Sequence, residues 1–183
     1  MMTFKLDELP EHVQRSVLDT WRENDCFPWG EEWKDSLNGF ARIAPIDVKR
    51  WEVCGWGRSY IDFSMDTRGH WTSTKGESED WADEMTGLRL WKYLRRTFGR
   101  ILHKDCPFTG YCGDEDILKP IRDAIKGHPS LLVRTTLRDV MRSCLEAWVE
   151  GYEKDLEHWY SDECIREDIE ANEHRFDEEG QLV

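Results

Sequence analysis

The stretch Ile46-Asp47-Val48-Lys49-Arg50-Trp51-Glu52-Val53-Cys54-Gly55-Trp56-Gly57-Arg58-Ser59-Tyr60-Ile61-Asp62-Phe63-Ser64-Met65 decides the fold class. Ile46 and Val48 alternate with polar neighbours, and after a one-residue slip at Lys49-Arg50 the alternation resumes with Trp51 and Val53. Ile61, Phe63 and Met65 alternate with Tyr60, Asp62 and Ser64 on the far side of Gly55-Trp56-Gly57. Two runs of period two around a glycine-flanked turn predict an antiparallel hairpin, and the slip predicts a β-bulge. An isolated hairpin is marginal in water, so other elements must cover its apolar face.

Outward from this stretch the period lengthens to that of a helix. Upstream, Leu9, Val13, Val17 and Trp21 stand at four-residue steps, predicting a helix opened by Asp7 with Pro10 in its first turn. Phe4-Lys5-Leu6 reads as a short strand before it, and Trp33, Leu37 and Phe40 mark a second short helix. Downstream, Trp81, Met85, Leu88, Trp91, Leu94, Phe98 and Ile101 form an apolar stripe that Gly87 is expected to kink or divide. A Cys/Gly/Pro loop follows over 105–113. The next helix carries Ile117, Leu118, Ile121 and Ile125, with Pro120 expected in its first turn. The clearest periodicity runs from Leu137 to Trp159, with Thr135 or Thr136 as its cap. Ser161 caps a last helix with Ile165 and Ile169, and 176–183 read as a turn and a strand. The expected architecture is α+β: one mainly helical domain over 1–183, with a central β-hairpin at about 46–66 and a small C-terminal strand.

Composition limits what such a domain does. Among 183 residues, 25 Lys+Arg face 38 Asp+Glu, a net charge of −13, and ten tryptophans argue against a disordered acidic polymer. The charge is uneven: 146–183 carry 3 basic and 14 acidic groups, whereas 88–104 carry six basic groups and no acid. A field of this sign repels nucleic acid and anionic membranes and favours basic partner surfaces. No run of 18 apolar residues spans a membrane. The opening Met1-Met2-Thr3-Phe4-Lys5-Leu6-Asp7 lacks a signal peptide's apolar stretch, so a cytoplasmic setting with six reduced cysteines is expected.

Candidate chemistry is sparse. His103, Cys106, Cys112 and Asp114 give His-x2-Cys-x5-Cys with a carboxylate, but zinc knuckles use a tighter cysteine pair. No metal and no cofactor is expected. A Cys106 or Cys112 nucleophile activated by His70 or His103 is not readable from sequence, since such pairs assemble in space. No nucleophile elbow, phosphate loop or dinucleotide fingerprint is present. The basic stripe Arg89, Lys92, Arg96 and Arg100 suits a phosphate backbone, or equally the acidic C-terminal helices of the same chain. Trp56, at the hairpin tip beside Arg58, is the candidate exposed anchor for a partner.

Cys106-Pro107-Phe108-Thr109-Gly110-Tyr111-Cys112, Asp114-Glu115-Asp116-Ile117-Leu118 and Pro120-Ile121 resemble segments of small acidic proteins encoded by bacteriophages and prophages. Leu9-Pro10-Glu11 and Asn172-Glu173-x-x-Phe176-x-x-x-Gly180 are similar to their two ends. Some members carry an antitoxin-like label. The resemblance implies an accessory protein working inside an infected bacterium, and by analogy an acidic occupant of basic surfaces on host defence machinery, of the anti-CRISPR or anti-restriction type. The leading expectation is therefore a non-catalytic inhibitor of a nucleic-acid-processing host complex. Trp56 and Arg58 would anchor it, and Glu150, Glu153, Glu157, Glu163, Glu167 and Glu170 would supply charge. This reading gives nucleic acid and membranes no role as partners and is compatible with a homodimer. The alternatives are an antitoxin-like or nucleic-acid-binding protein using helix 89–103, and a metalloenzyme using the His103/Cys106/Cys112 loop.

Overall fold

Alternation with a single slip produces the sheet as expected. A computed structural model describes residues 2–24, 26–55, 57–66 and 81–183. In it β1 (Ile46–Glu52) pairs antiparallel with β2 (Tyr60–Met65), and the register shifts between Val48 and Arg50, leaving Lys49 as the extra residue. The helices are α1 (Glu11–Asn24), α2 (Gly30–Ala41), α3 (Trp81–Glu84), α4 (Gly87–Phe98), α5 (Gly113–Lys126), α6 (Leu137–Trp159) and α7 (Asp162–Ala171). The protein is thus α+β and mainly helical, with one two-stranded sheet among the described residues.

The chain divides into two compact units. The smaller comprises 1–28 and 154–183, and the larger 29–153. In the smaller unit, Leu9, Val13, Val17 and Leu18 pack against Ile165, Ile169 and Phe176, the opposing stripes that four-residue spacing predicts. Arg22 at the end of α1 donates from Nε to the Tyr160 carbonyl (2.9 Å) and pairs with Asp162, tying α1 to the start of α7. The C-terminus closes this unit. Phe176 bridges to Phe4 and Leu182, and Gly180, at φ +83°, lies against Val13 and Val17. The small strand is therefore reduced to isolated bridges, and the expected strand at Phe4-Lys5-Leu6 to one bridge at Phe4 followed by a 3-10 turn, Leu6–Glu8. Pro10 precedes α1 and is not in its first turn. Its carbonyl accepts the Val13 and Gln14 N–H groups.

In the larger unit α5 packs between α2 and α4, with the hairpin against α2. Gly87, at φ +55°, divides the long stripe into α3 and α4. Pro120 corrects the sequence reading, because α5 runs through it and does not begin there. A proline inside a helix costs about 3 kcal/mol. Ile117, Leu118 and Ile121, all fully buried around it, supply more than that in packing. Trp33 and Trp148 are likewise fully buried. The Trp148 indole N–H donates to the Trp33 carbonyl (2.9 Å), and Trp33 stacks on Tyr152 at 5.3 Å. No helix among the described residues is long and apolar enough to cross a membrane.

Candidate functional site

The loop preceding α5 is held by one carboxylate. Asp114 is fully buried. Its Oδ2 accepts the backbone N–H groups of Phe108 (2.7 Å) and Thr109 (2.8 Å), while Oδ1 accepts the hydroxyls of Ser36 and Thr109. Both oxygens are thus consumed in closing residues 108–114 onto α2, where sequence spacing offered Asp114 as a metal ligand. Among the described residues no three His, Cys, Asp or Glu side chains converge on a metal position. His103 is exposed, and Cys106 and Cys112 are not disulfide-bonded. Burial, reinforced by the carboxylates of Glu115, Asp114 and Asp105, raises the Cys106 thiol above its ordinary value. A nucleophilic cysteine needs the opposite shift. His70 and Trp56 lie outside the described residues, so the paired-base and hairpin-anchor readings have no geometry here. Arg58 is exposed in the hairpin loop.

Formal charge separates between the units. The smaller holds six basic and seventeen acidic side chains, a net of −11, while the larger holds nineteen basic and twenty-one acidic. Of the glutamates singled out from sequence, Glu157, Glu163, Glu167 and Glu170 belong to the smaller unit and are exposed. Glu150 (exposed) and Glu153 (half-buried) belong to the larger. On α7, Glu163, Glu167 and Glu170 share the face opposite the buried Ile165 and Ile169.

The smaller unit also has a cavity of about 400 Å³ that sequence reasoning missed. Trp21, Asp168, Phe176 and Glu179 are among its lining residues. Trp21, the last member of the α1 stripe, is only half-buried and meets His174 edge-on at 5.1 Å. Asp168 lies beside the buried stripe of α7, and Glu179 sits in the turn that Asp177 closes by accepting the Glu179 and Gln181 N–H groups. No signal in sequence joins positions 21, 168 and 179. The packing of α1 on α7 and the docking of Gly180 on α1 do so.

A second cleft, about 730 Å³, opens between α4, with the turns that extend it, and α5. Arg95, Arg96, Arg100 and His103 line it from the α4 side and Arg122 and Lys126 from α5, together with Leu102, Ile125 and the carboxylates Asp105 and Glu115. Among the described residues no carboxylate stands within ion-pair distance of Arg95, Arg100, His103, Arg122 or Lys126. Arg95 lies over the Trp91 ring at 4.6 Å, and the Trp91 indole N–H donates to the Ile125 carbonyl (3.1 Å), joining the walls. Of the four cations proposed from sequence, the cleft takes Arg96 and Arg100 but not Arg89 or Lys92.

Comparison of the chain with protein-family models, with curated proteins and with solved structures gave no match.

Proposed function

We propose that the protein is a non-catalytic binding protein whose smaller unit docks on a basic surface of a nucleic-acid-processing partner, as an acidic inhibitor of a host defence complex would. The observation that carries this reading is the concentration of −11 in a unit with its own apolar core. A folded support holds Glu163, Glu167 and Glu170 on one helix face, so little backbone order has to be gained on binding. The cavity beside them suits a basic side chain. An indole and two carboxylates are the groups that hold an arginine or lysine, the ring through its electron-rich face and the carboxylates through charge-assisted hydrogen bonds.

The test is affinity capture from a bacterial lysate, run with and without nuclease, comparing the native chain with a variant carrying Glu163→Lys, Glu167→Lys and Glu170→Lys. One nucleic-acid enzyme or defence complex, retained at low salt after nuclease and absent from the variant, is expected. Capture of the same proteins by both chains refutes the reading. A cytoplasmic setting in a bacterial host is part of the same proposal.

A further inference from the structure

The cleft between α4 and α5 requires a different ligand. In a chain with 38 acidic residues, four arginines and a lysine share one concavity with two carboxylates, a formal net of +3 with His103 counted as neutral. Like charges this close repel, and partnering them internally would relieve the repulsion, yet Arg95, Arg100, Arg122 and Lys126 have no carboxylate in reach among the described residues. We propose that this cleft binds the phosphodiester backbone of a single-stranded nucleic acid, with Arg95, Arg96, Arg100, Arg122 and Lys126 as its phosphate ligands.

The shape selects the strand. A helix that reads duplex DNA projects into the major groove. The cationic end of α4 is instead one wall of a cleft whose other wall is α5, so it is not presented as a helix for a duplex groove, and a single strand laid along the cleft meets cations from both walls. On α5, Arg122 and Lys126 stand one turn apart, about 6 Å along the axis, a step of the order that separates successive phosphates of a strand. Four of the five cations are arginines, whose planar fork matches two phosphate oxygens. Arg95 is already oriented by the Trp91 ring. No Phe, Tyr or Trp lines the cleft, so its contacts run chiefly to the backbone and binding is independent of sequence. The overall charge does not forbid this. At physiological ionic strength a charge is felt over about 8 Å, so a strand in the cleft responds to the cleft.

Fluorescence anisotropy of the full chain with a labelled twelve-residue mixed-sequence single strand, as DNA and as RNA, tests the proposal. Five phosphate contacts on a single strand give a slope of log affinity against log salt of about −3.5, a loss of about 100-fold between 50 and 200 mM salt. Arg100→Gln with Arg122→Gln removes two contacts, so the slope shallows by about 1.4. The Gln pair is preferred to Glu because it removes the two cations without adding carboxylates that would themselves repel the strand, and the variant's melting curve confirms that it is folded. Lys34→Gln, at an exposed position of α2 outside the cleft, leaves both affinity and slope unchanged. Absence of binding at 50 mM salt overturns the proposal. So does tighter binding of the corresponding duplex, an unchanged slope in the folded Gln pair, or displacement of the strand by equimolar inorganic phosphate or ATP, which would make the site one for a small phosphate.

Discussion

Asp114→Ala isolates the contact that orders the loop over 108–114. The native carboxylate satisfies two backbone N–H groups and two hydroxyls. Alanine leaves all four without that acceptor. A donor stranded without water costs about 1–3 kcal/mol. Phe108 and Thr109 are only half-buried, so their N–H groups recover water, whereas Ser36 is fully buried and does not. The working sum is about 3 kcal/mol, which at this chain length lowers the midpoint of thermal unfolding by about 6–12 °C. Asp114→Asn keeps the shape and one oxygen, and the Ser36 and Thr109 hydroxyls can turn to accept from its amide. Only the charge reinforcement is lost, about 1 kcal/mol. Urea denaturation of both variants, with unchanged m-values, provides the comparison. A cost below 1 kcal/mol for alanine refutes the reasoning, as does an asparagine variant as unstable as alanine, because the effect would then lie in charge and not in the four donors.

The start of α6 gives a pH-dependent case. Asp139 is held below its ordinary value because the Thr136 backbone N–H (3.0 Å) and hydroxyl (2.8 Å) donate to it, with Arg142 and Arg138 adding to the effect. A depressed folded-state value stabilises above the unfolded value near 3.8 and is lost as pH falls through the folded value. Asp139→Asn is thus expected to be less stable than the native chain at pH 7 and to converge with it in strong acid; equal stability at both pH values refutes the assignment. Thr136→Ala removes the two bonds of the hydroxyl, the one it donates to the Asp139 carboxylate and the one it accepts from the Asp139 N–H, and is expected to cost about 1 kcal/mol in urea titrations. Gly180→Ala places a methyl group 2.8 Å from Val17 Cγ2 and 2.9 Å from Val13 Cγ1 at a positive φ, so a loss of about 1–3 kcal/mol is expected, and a neutral result denies the docking of the C-terminal turn. Thiol labelling of the native chain at pH 8 is expected to modify exposed Cys26 and Cys112 and to spare Cys144, which is fully buried with its thiol pushed up by desolvation. Equal rates for Cys112 and Cys144 contradict that burial.

Local pattern carried the elements, and long-range docking carried the sites. The hairpin, its bulge at Lys49, the break at Gly87 and the Ser161 cap all follow from residue types within a few positions of one another. Each depends on backbone chemistry that a short segment decides by itself. Pro120 is where local rules fail, because fully buried Ile117 and Ile121 hold a helix that propensity alone would end. Asp114 illustrates the same gap in chemistry. Near two cysteines and a histidine it reads as a ligand, and only the approach of Ser36, 78 positions earlier in the chain, makes it a structural acceptor. The cavity of the smaller unit and the basic cleft are further from sequence still. Trp21 comes to share a cavity with Asp168 and Glu179, and Arg100 a cleft with Arg122, through tertiary packing that periodicity does not encode.

Net charge averages over two units of very different charge. Taken as one sphere at −13, the chain repels nucleic acid. Yet 58 residues hold −11 of that charge, and the other 125 are close to balance, with nineteen basic groups against twenty-one acidic. Within that near-neutral unit, the packing of α4 on α5 gathers five cations around one cleft while acids such as Glu31, Glu32 and Asp35 lie on α2. Since screening limits a charge to about 8 Å in physiological salt, the sign that a ligand meets is set by which side chains share a surface. The two proposed sites therefore answer salt alike but mutation differently. Reversing Glu163, Glu167 and Glu170 is expected to abolish protein capture and to leave the strand-binding slope near −3.5. Replacing Arg100 and Arg122 is expected to do the reverse. If the α7 reversals changed the slope instead, the two proposed sites would not be independent, and the claim that each ligand answers only the charges of its own surface would fail.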